Sequence, residues 1–396
     1  MRGLRGALLG LFILVSPPLF DAATAAAQEE NLEAGIEAFD RRDYAFAAVK
    51  LERPAKMGDS EANGLLALIH YYYGRFDAAR ECLKKAGRDD PRVELLRGYL
   101  DTPFGAKYGA SAKGMEGFSK RRIYFVSTDL GAVFGTGETK SGKKKSSKKS
   151  KKPTAGHKAL CTLMERVVAA YEKVFKFDRD RKLVSTVVAF EVRKDFVDWC
   201  HKVDPEDDMT DTEAFYDPNT RTLVIGTGRE AGETELIPRG MEETIIHEAF
   251  HQFVDFFVED CPYWFNEGMA EYFGAGRVDR KKKRIPLGGV PKERLEDIQK
   301  MIRSGDITPT STLLQMGGEA FMMNADRHYP QAWSLCHFLI HGHKKGKKAI
   351  QLFFGELMDG KEAGEAFSRV FGQSDLEKLD AEWRSYVLAL EPREGS

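Results

Sequence analysis

Cysteine is scarce and scattered in this chain: Cys82, Cys161, Cys200, Cys261 and Cys336 form no CxxC pair. That spacing excludes a zinc ribbon and a thioredoxin-like redox motif, and the odd count leaves at least one thiol unpaired. A membrane-spanning run is missing as well. The apolar stretch from Ala7 to Val15 stops at Pro17 and Pro18, well short of the roughly 20 residues a spanning helix needs. Nor is there an excess of either charge: 60 Lys and Arg stand against 61 Asp and Glu, a formal net charge of −1. This balance excludes a globally basic nucleic-acid binder and an acidic solvating chain. What is present is a 42% hydrophobic content over 396 residues, enough for real cores in two folded units with leader and linker segments.

The first residues have the pattern of an export signal. Arg2 and Arg5 precede the apolar run, and the small residues Ala23 to Ala27 end before Gln28, so residues 1–27 read as a signal peptide and the mature protein is expected to be secreted or periplasmic. Two further stretches repeat with an offset of 32 residues: Tyr44, Ala47 and Leu51 correspond to Phe76, Ala79 and Leu83. Such a period predicts stacked helical hairpins. Gly74, Ala79, Ala86 and Pro91 fall at the spacings of a tetratricopeptide repeat, which the segment 28–104 resembles, with 92–101 as a capping helix. The role expected of this region is to dock a protein partner or to brace the second domain.

That second unit, 118–393, opens with RRIYFVS (121–127), a strand by its aromatic and β-branched content. Eight lysines between Lys140 and Lys152, with almost nothing apolar around them, predict a disordered insertion at 137–155. Apolar residues then recur at helical spacing from Leu160 through Leu163, Val167, Val168 and Tyr171 to Val174. LVSTVVAFE (183–191) and RTLVIGTG (221–228) read as strands, the second after the turn signal Asp217-Pro218-Asn219. From Met241 to about Leu390 the chain reads as mostly helical, and strands succeeded by helices predict an α+β fold with one small sheet.

The chemistry is concentrated in ETIIHEAFHQFVDFF (243–257). Ile245, Ile246, Ala249, Phe250, Phe253, Val254 and Phe257 mark a largely buried helix, so its two histidines need partners. His247 and His251 are four apart and stack on one helical face, where two imidazoles can share a tetrahedral zinc. Glu248, next to the first, is placed to take a proton from water at the metal. YWFNEGMAEYF (263–273) comes after a break at Cys261-Pro262 and puts an acid on a second helix able to fold back on the first.

Together HEAFH and WFNEGMAEY resemble the peptidase MA-like gluzincins, in particular secreted bacterial members classed only as a domain of unknown function. The resemblance implies a zincin-type catalytic domain, a small sheet with an active-site helix and a helical C-terminal part, preceded by the all-α repeats. It makes Glu267 the third metal ligand, with one Zn2+ per chain, and gives Glu271 and Asn266 the role of orienting the histidines. It also implies an oxyanion donor from a downstream helix, where HYPQAWSLCHFLI (328–340) offers Tyr329, with His328 as the competing donor. The implied activity is a zinc-dependent metallopeptidase in which Glu248 delivers water and later protonates the leaving amine. The substrate, a peptide or protein, is expected to add as a strand in a groove beside the last strand before the active-site helix. Rival readings are a non-catalytic zincin scaffold or binding module and a zinc-dependent amidase or esterase. Arg239 to Glu243 echoes an aminopeptidase motif but lies so close to His247 that it reads as the start of the active-site helix, which argues against that specificity. His337, His341 and His343 read as a basic helix end rather than a second metal patch.

Overall fold

The computed structural model describes residues 22–101, 123–125, 155–177, 185–189, 196–197, 200–201, 212–226, 237, 239–372 and 376–393. Residues 1–21 of the expected leader, the boundary between the two units and the lysine-rich insertion up to residue 154 lie outside them.

The N-terminal region is all helical: α1 (Ala22–Asp40), α2 (Tyr44–Lys56), α3 (Ser60–Tyr72), α4 (Phe76–Leu83) and α5 (Pro91–Asp101). Asp43 and Asp59 start α2 and α3 by accepting hydrogen bonds from the Phe46 and Ala62 amides, satisfying donors that a helix leaves open at its first turn. The 32-residue offset is also an offset in burial, since Tyr44, Ala47 and Leu51 of α2 and Phe76, Ala79 and Leu83 of α4 are all buried. Gly35 lets α1 approach α2 closely, because a Cβ there would come within 2.7 Å of Leu51. Val93, Leu96 and Leu100 of α5 are buried over the end of the stack.

The second region combines the strands β1 (Ile123–Phe125), β2 (Ser185–Ala189), β3 (Ala214–Asp217) and β4 (Thr222–Ile225) with the helix α6 (Ala155–Val174). The four strands form one sheet in the order β1-β2-β4-β3, with β1, β2 and β4 parallel and β3 antiparallel to β4. β3 has no counterpart in the strands expected from sequence. Its position corrects one expectation, because the last strand before the active-site helix, β4, lies inside the sheet and is buried throughout. The Asp217-Pro218-Asn219 turn folds β3 back along β4, the Asn219 amide donating to the Asp217 carboxylate, so that β3 takes the sheet edge.

Helices fill the rest. α7 (Arg239–Asp255) and α8 (Tyr263–Gly274) are separated by the break at Cys261-Pro262 and pack on each other. Beyond them come α9 (Lys292–Ser304), α10 (Thr310–Leu314), α11 (Gly318–Met322), α12 (Ala325–His341), α13 (Lys347–Met358), α14 (Ala363–Phe371) and α15 (Leu376–Leu388). The core of this region lies where α6 meets α7. The Tyr171 ring sits 4.6 Å from Phe253 and 4.7 Å from Phe273 between centroids, and full burial of each such side chain contributes roughly 1.5–3 kcal/mol. Gly268 permits a close approach of two helices, because a Cβ there would lie 2.5 Å from the Ala332 carbonyl oxygen and 2.7 Å from Cys336 Sγ. That contact draws α12, with Tyr329 near its start, against the helix that carries Glu267. No described helix is long and apolar enough to cross a membrane. Cys82, Cys200, Cys261 and Cys336 are free thiols.

Candidate metal centre

The apolar face of α7 fixes the polar one. Ile245, Ile246, Ala249, Phe250, Phe253 and Val254 are buried in the core, which turns His247 and His251 towards Glu267 of α8 and leaves His247 and Glu248 lining a cleft of about 1120 Å³. His247 Nε2 lies 3.4 Å and His251 Nε2 3.6 Å from the same oxygen, Oε2 of Glu267 on α8. Ligand atoms of the three side chains all fall within 4.8 Å of one another. Among the described residues this is the one group of His, Cys, Asp or Glu side chains able to hold a metal ion.

Each imidazole is held from behind. His247 Nδ1 lies 3.3 Å from Glu271 Oε1, and His251 Nδ1 is hydrogen-bonded to Asn266 Oδ1 at 2.9 Å. Such contacts to Nδ1 leave Nε2 to face the common point. Arg294 of α9 pairs with the other Glu271 oxygen at 2.8 Å and so anchors the acid behind His247. The sequence carries no mark of this arginine's role, since it lies 23 residues beyond Glu271 on an ordinary amphipathic helix.

Glu267 tests whether a cation fits. Its Oε2 is fully buried and accepts no hydrogen bond, a state that costs free energy for a carboxylate unless a cation pairs with it. Burial raises its pKa, but the neighbouring His251 and His247 outweigh burial and hold it below the usual carboxylate range. For His247, burial favours the neutral ring, yet the carboxylates of Glu267 and Glu271 prevail and push it up to about 10. A cation held at the shared point would take the place of that proton, because imidazole ligates in its neutral form. Two nitrogens and one carboxylate oxygen form a donor set that could hold a metal ion.

Glu248 does not join this group. Its Oε2 accepts a hydrogen bond from the Tyr216 amide of the edge strand at 2.9 Å, a contact by a backbone donor that no side-chain pattern announces. Tyr329 faces the centre from α12, its ring centroid 6.5 Å from that of His247. Burial, then the charge of Glu267, raises the phenol pKa well above its ordinary value, so it stays protonated and able to donate. His328 points elsewhere: its Nδ1 meets the Phe321 carbonyl at 2.7 Å and its Nε2 the Thr308 hydroxyl at 3.1 Å. Both ring nitrogens are thereby engaged away from the centre.

Of the three C-terminal histidines, His337 and His343 are buried and His341 is exposed, and each has a partner within the fold. His337 Nδ1 meets the Tyr386 hydroxyl at 2.9 Å and His341 Nε2 the Tyr272 hydroxyl at 2.8 Å, while His343 Nδ1 accepts from the Lys345 amide. Burial drives His337 down to about 3, the behaviour of a neutral core imidazole.

No curated protein matches the chain. Over residues 242–355, a span that holds every residue of the centre from His247 to Tyr329, the chain is similar to the family described as "Protein of unknown function (DUF1570)".

Proposed function

We propose that the protein is a zinc-dependent metallopeptidase of the gluzincin kind, exported and preceded by tetratricopeptide-like repeats. The observation that carries this reading is the buried Oε2 of Glu267, which accepts no hydrogen bond and lies at the focus of two imidazole nitrogens, with the Glu248 carboxylate beside it on α7. A purely structural zinc site closes with four protein ligands and has no use for such a base. An edge strand beside the helix that carries the two histidines further supports a zincin-type arrangement.

Zinc held by His247, His251 and Glu267 supplies Lewis acidity, lowering the pKa of water and polarising a substrate carbonyl. The chain's own groups do the rest. The Tyr216 amide fixes one oxygen of Glu248, leaving Oε1 to take the proton from water and later deliver it to the leaving amine. The Tyr329 hydroxyl donates to the oxygen on which negative charge develops. β3, at the sheet edge, offers backbone groups for a substrate peptide to pair with in extended form. Glu271, braced by Arg294, and Asn266 keep the imidazoles in register throughout.

The test is turnover of a mixed peptide library, with ester and acetyl-lysine substrates run alongside. Cleavage of peptide bonds that stops with a chelator and returns with zinc is the expected result. Hydrolysis of the ester or acetyl substrates alone would establish a different zinc hydrolase, and no turnover with zinc bound would establish a binding module.

A further inference from the structure

Outside the metal centre, a buried polar cluster lies at the far end of α7, where the helical N-terminal region meets the sheet. Arg42, in the α1–α2 turn, donates through Nε to the Asp255 carbonyl at 2.7 Å and through Nη2 to Asp255 Oδ1 at 2.6 Å. It thereby caps the C-terminus of the helix that carries His247, Glu248 and His251. Arg221, in the β3–β4 turn, donates to Asp255 Oδ2 at 2.7 Å. Its guanidinium stacks 4.8 Å from the Tyr44 ring and 4.9 Å from the Tyr72 ring, both from the N-terminal helices. The fourth member is Tyr216 of β3, whose hydroxyl donates to Asp255 Oδ2 at 2.6 Å.

Tyr216 therefore holds α7 at two points. Its phenol is tied to Asp255 and its backbone amide to Glu248, seven residues or about 10 Å apart along the helix. Both arginines adopt a left-handed backbone, φ 61° at Arg42 and 55° at Arg221, a conformation that side chains other than glycine's rarely take unless the surrounding contacts impose it. Burial opposes the charge on Asp255, but Arg221 and Arg42 outweigh it and hold the carboxyl below its ordinary range.

We propose that Asp255, clamped by Arg42 and Arg221, is a positioning residue through which the N-terminal helical region holds Tyr216, and with it the edge strand and the Glu248 carboxylate, in place. The catalytic part of this proposal rests on the metallopeptidase reading, whereas the clamp itself does not. The N-terminal region is thus part of the apparatus that orients the base.

The test uses the full metal-loaded chain with Tyr216→Phe, Arg42→Ala and Arg42→Lys, read first by hydrogen exchange. In Tyr216→Phe and Arg42→Ala the Tyr216 amide should exchange at least roughly tenfold faster, the scale of one lost hydrogen bond, while the β4 amides Leu223 to Ile225 keep the parent's rates. On a cleaved peptide, kcat should fall roughly 10–100-fold, the scale of a misplaced catalytic group, with KM and metal content unchanged and part of the rate restored in Arg42→Lys. An unchanged Tyr216 amide in both variants, or an equal rise along β4, would overturn the clamp. If the parent cleaves no peptide, the metallopeptidase reading fails, and the exchange data still decide whether Asp255 positions the strand.

Discussion

Exchanging Glu248 for glutamine should lower peptide turnover by at least roughly a hundredfold, the scale of a lost general base, while metal content stays at that of the parent. The amide matches the carboxylate in size and can still accept a hydrogen bond from the Tyr216 amide through its carbonyl oxygen, so the local structure is retained. What it loses is the capacity to take a proton at Oε1. The metal group is composed of His247, His251 and Glu267 and does not include this side chain, which is why binding and turnover should separate. Loss of metal on this exchange, or turnover within a few-fold of the parent, would show that the roles are wrongly divided.

Replacing Tyr329 by phenylalanine should lower kcat by roughly 10²–10³, as removal of one oxyanion donor does, again with metal retained. The ring is packed against Phe321, 5.3 Å away between centroids, and phenylalanine keeps that contact. Only the hydroxyl is removed. Its role as donor is consistent with a phenol held in its protonated form by burial and by Glu267. The alternative donor, His328, has both nitrogens occupied by Phe321 and Thr308, so His328→Ala should act on stability rather than on the chemical step. Parent-level kcat for Tyr329→Phe would remove the tyrosine from the mechanism.

Much of the centre is legible in the sequence because its information is local. His247 and His251 share a helical face by their four-residue spacing, and the apolar pattern from Ile245 to Val254 requires that face to be half-buried. The helical character of the N-terminal region is legible for the same reason, since the 32-residue offset carries both copies of the Tyr/Phe, Ala and Leu positions. β3 is not, because Ala-Phe-Tyr-Asp is too short to show alternation and its burial runs from Ala214 to Asp217 with two half-buried residues between. With β3 unseen, the edge of the sheet is misplaced onto β4. Arg294, the Tyr216 amide and the Arg42–Asp255 pair are invisible for another reason. They act across 23, 32 and 213 residues of chain, and neither an ion pair nor a backbone donor at such separations leaves a periodic trace.

Metal analysis of the purified full chain after zinc loading and removal of excess decides whether His247, His251 and Glu267 converge on one zinc. The parent should hold about one zinc per chain, the stoichiometry of a three-ligand site, and the double variant His251→Ala, Glu267→Ala should hold none while keeping the parent's helical content. Full zinc retention in that folded double variant would contradict the assignment.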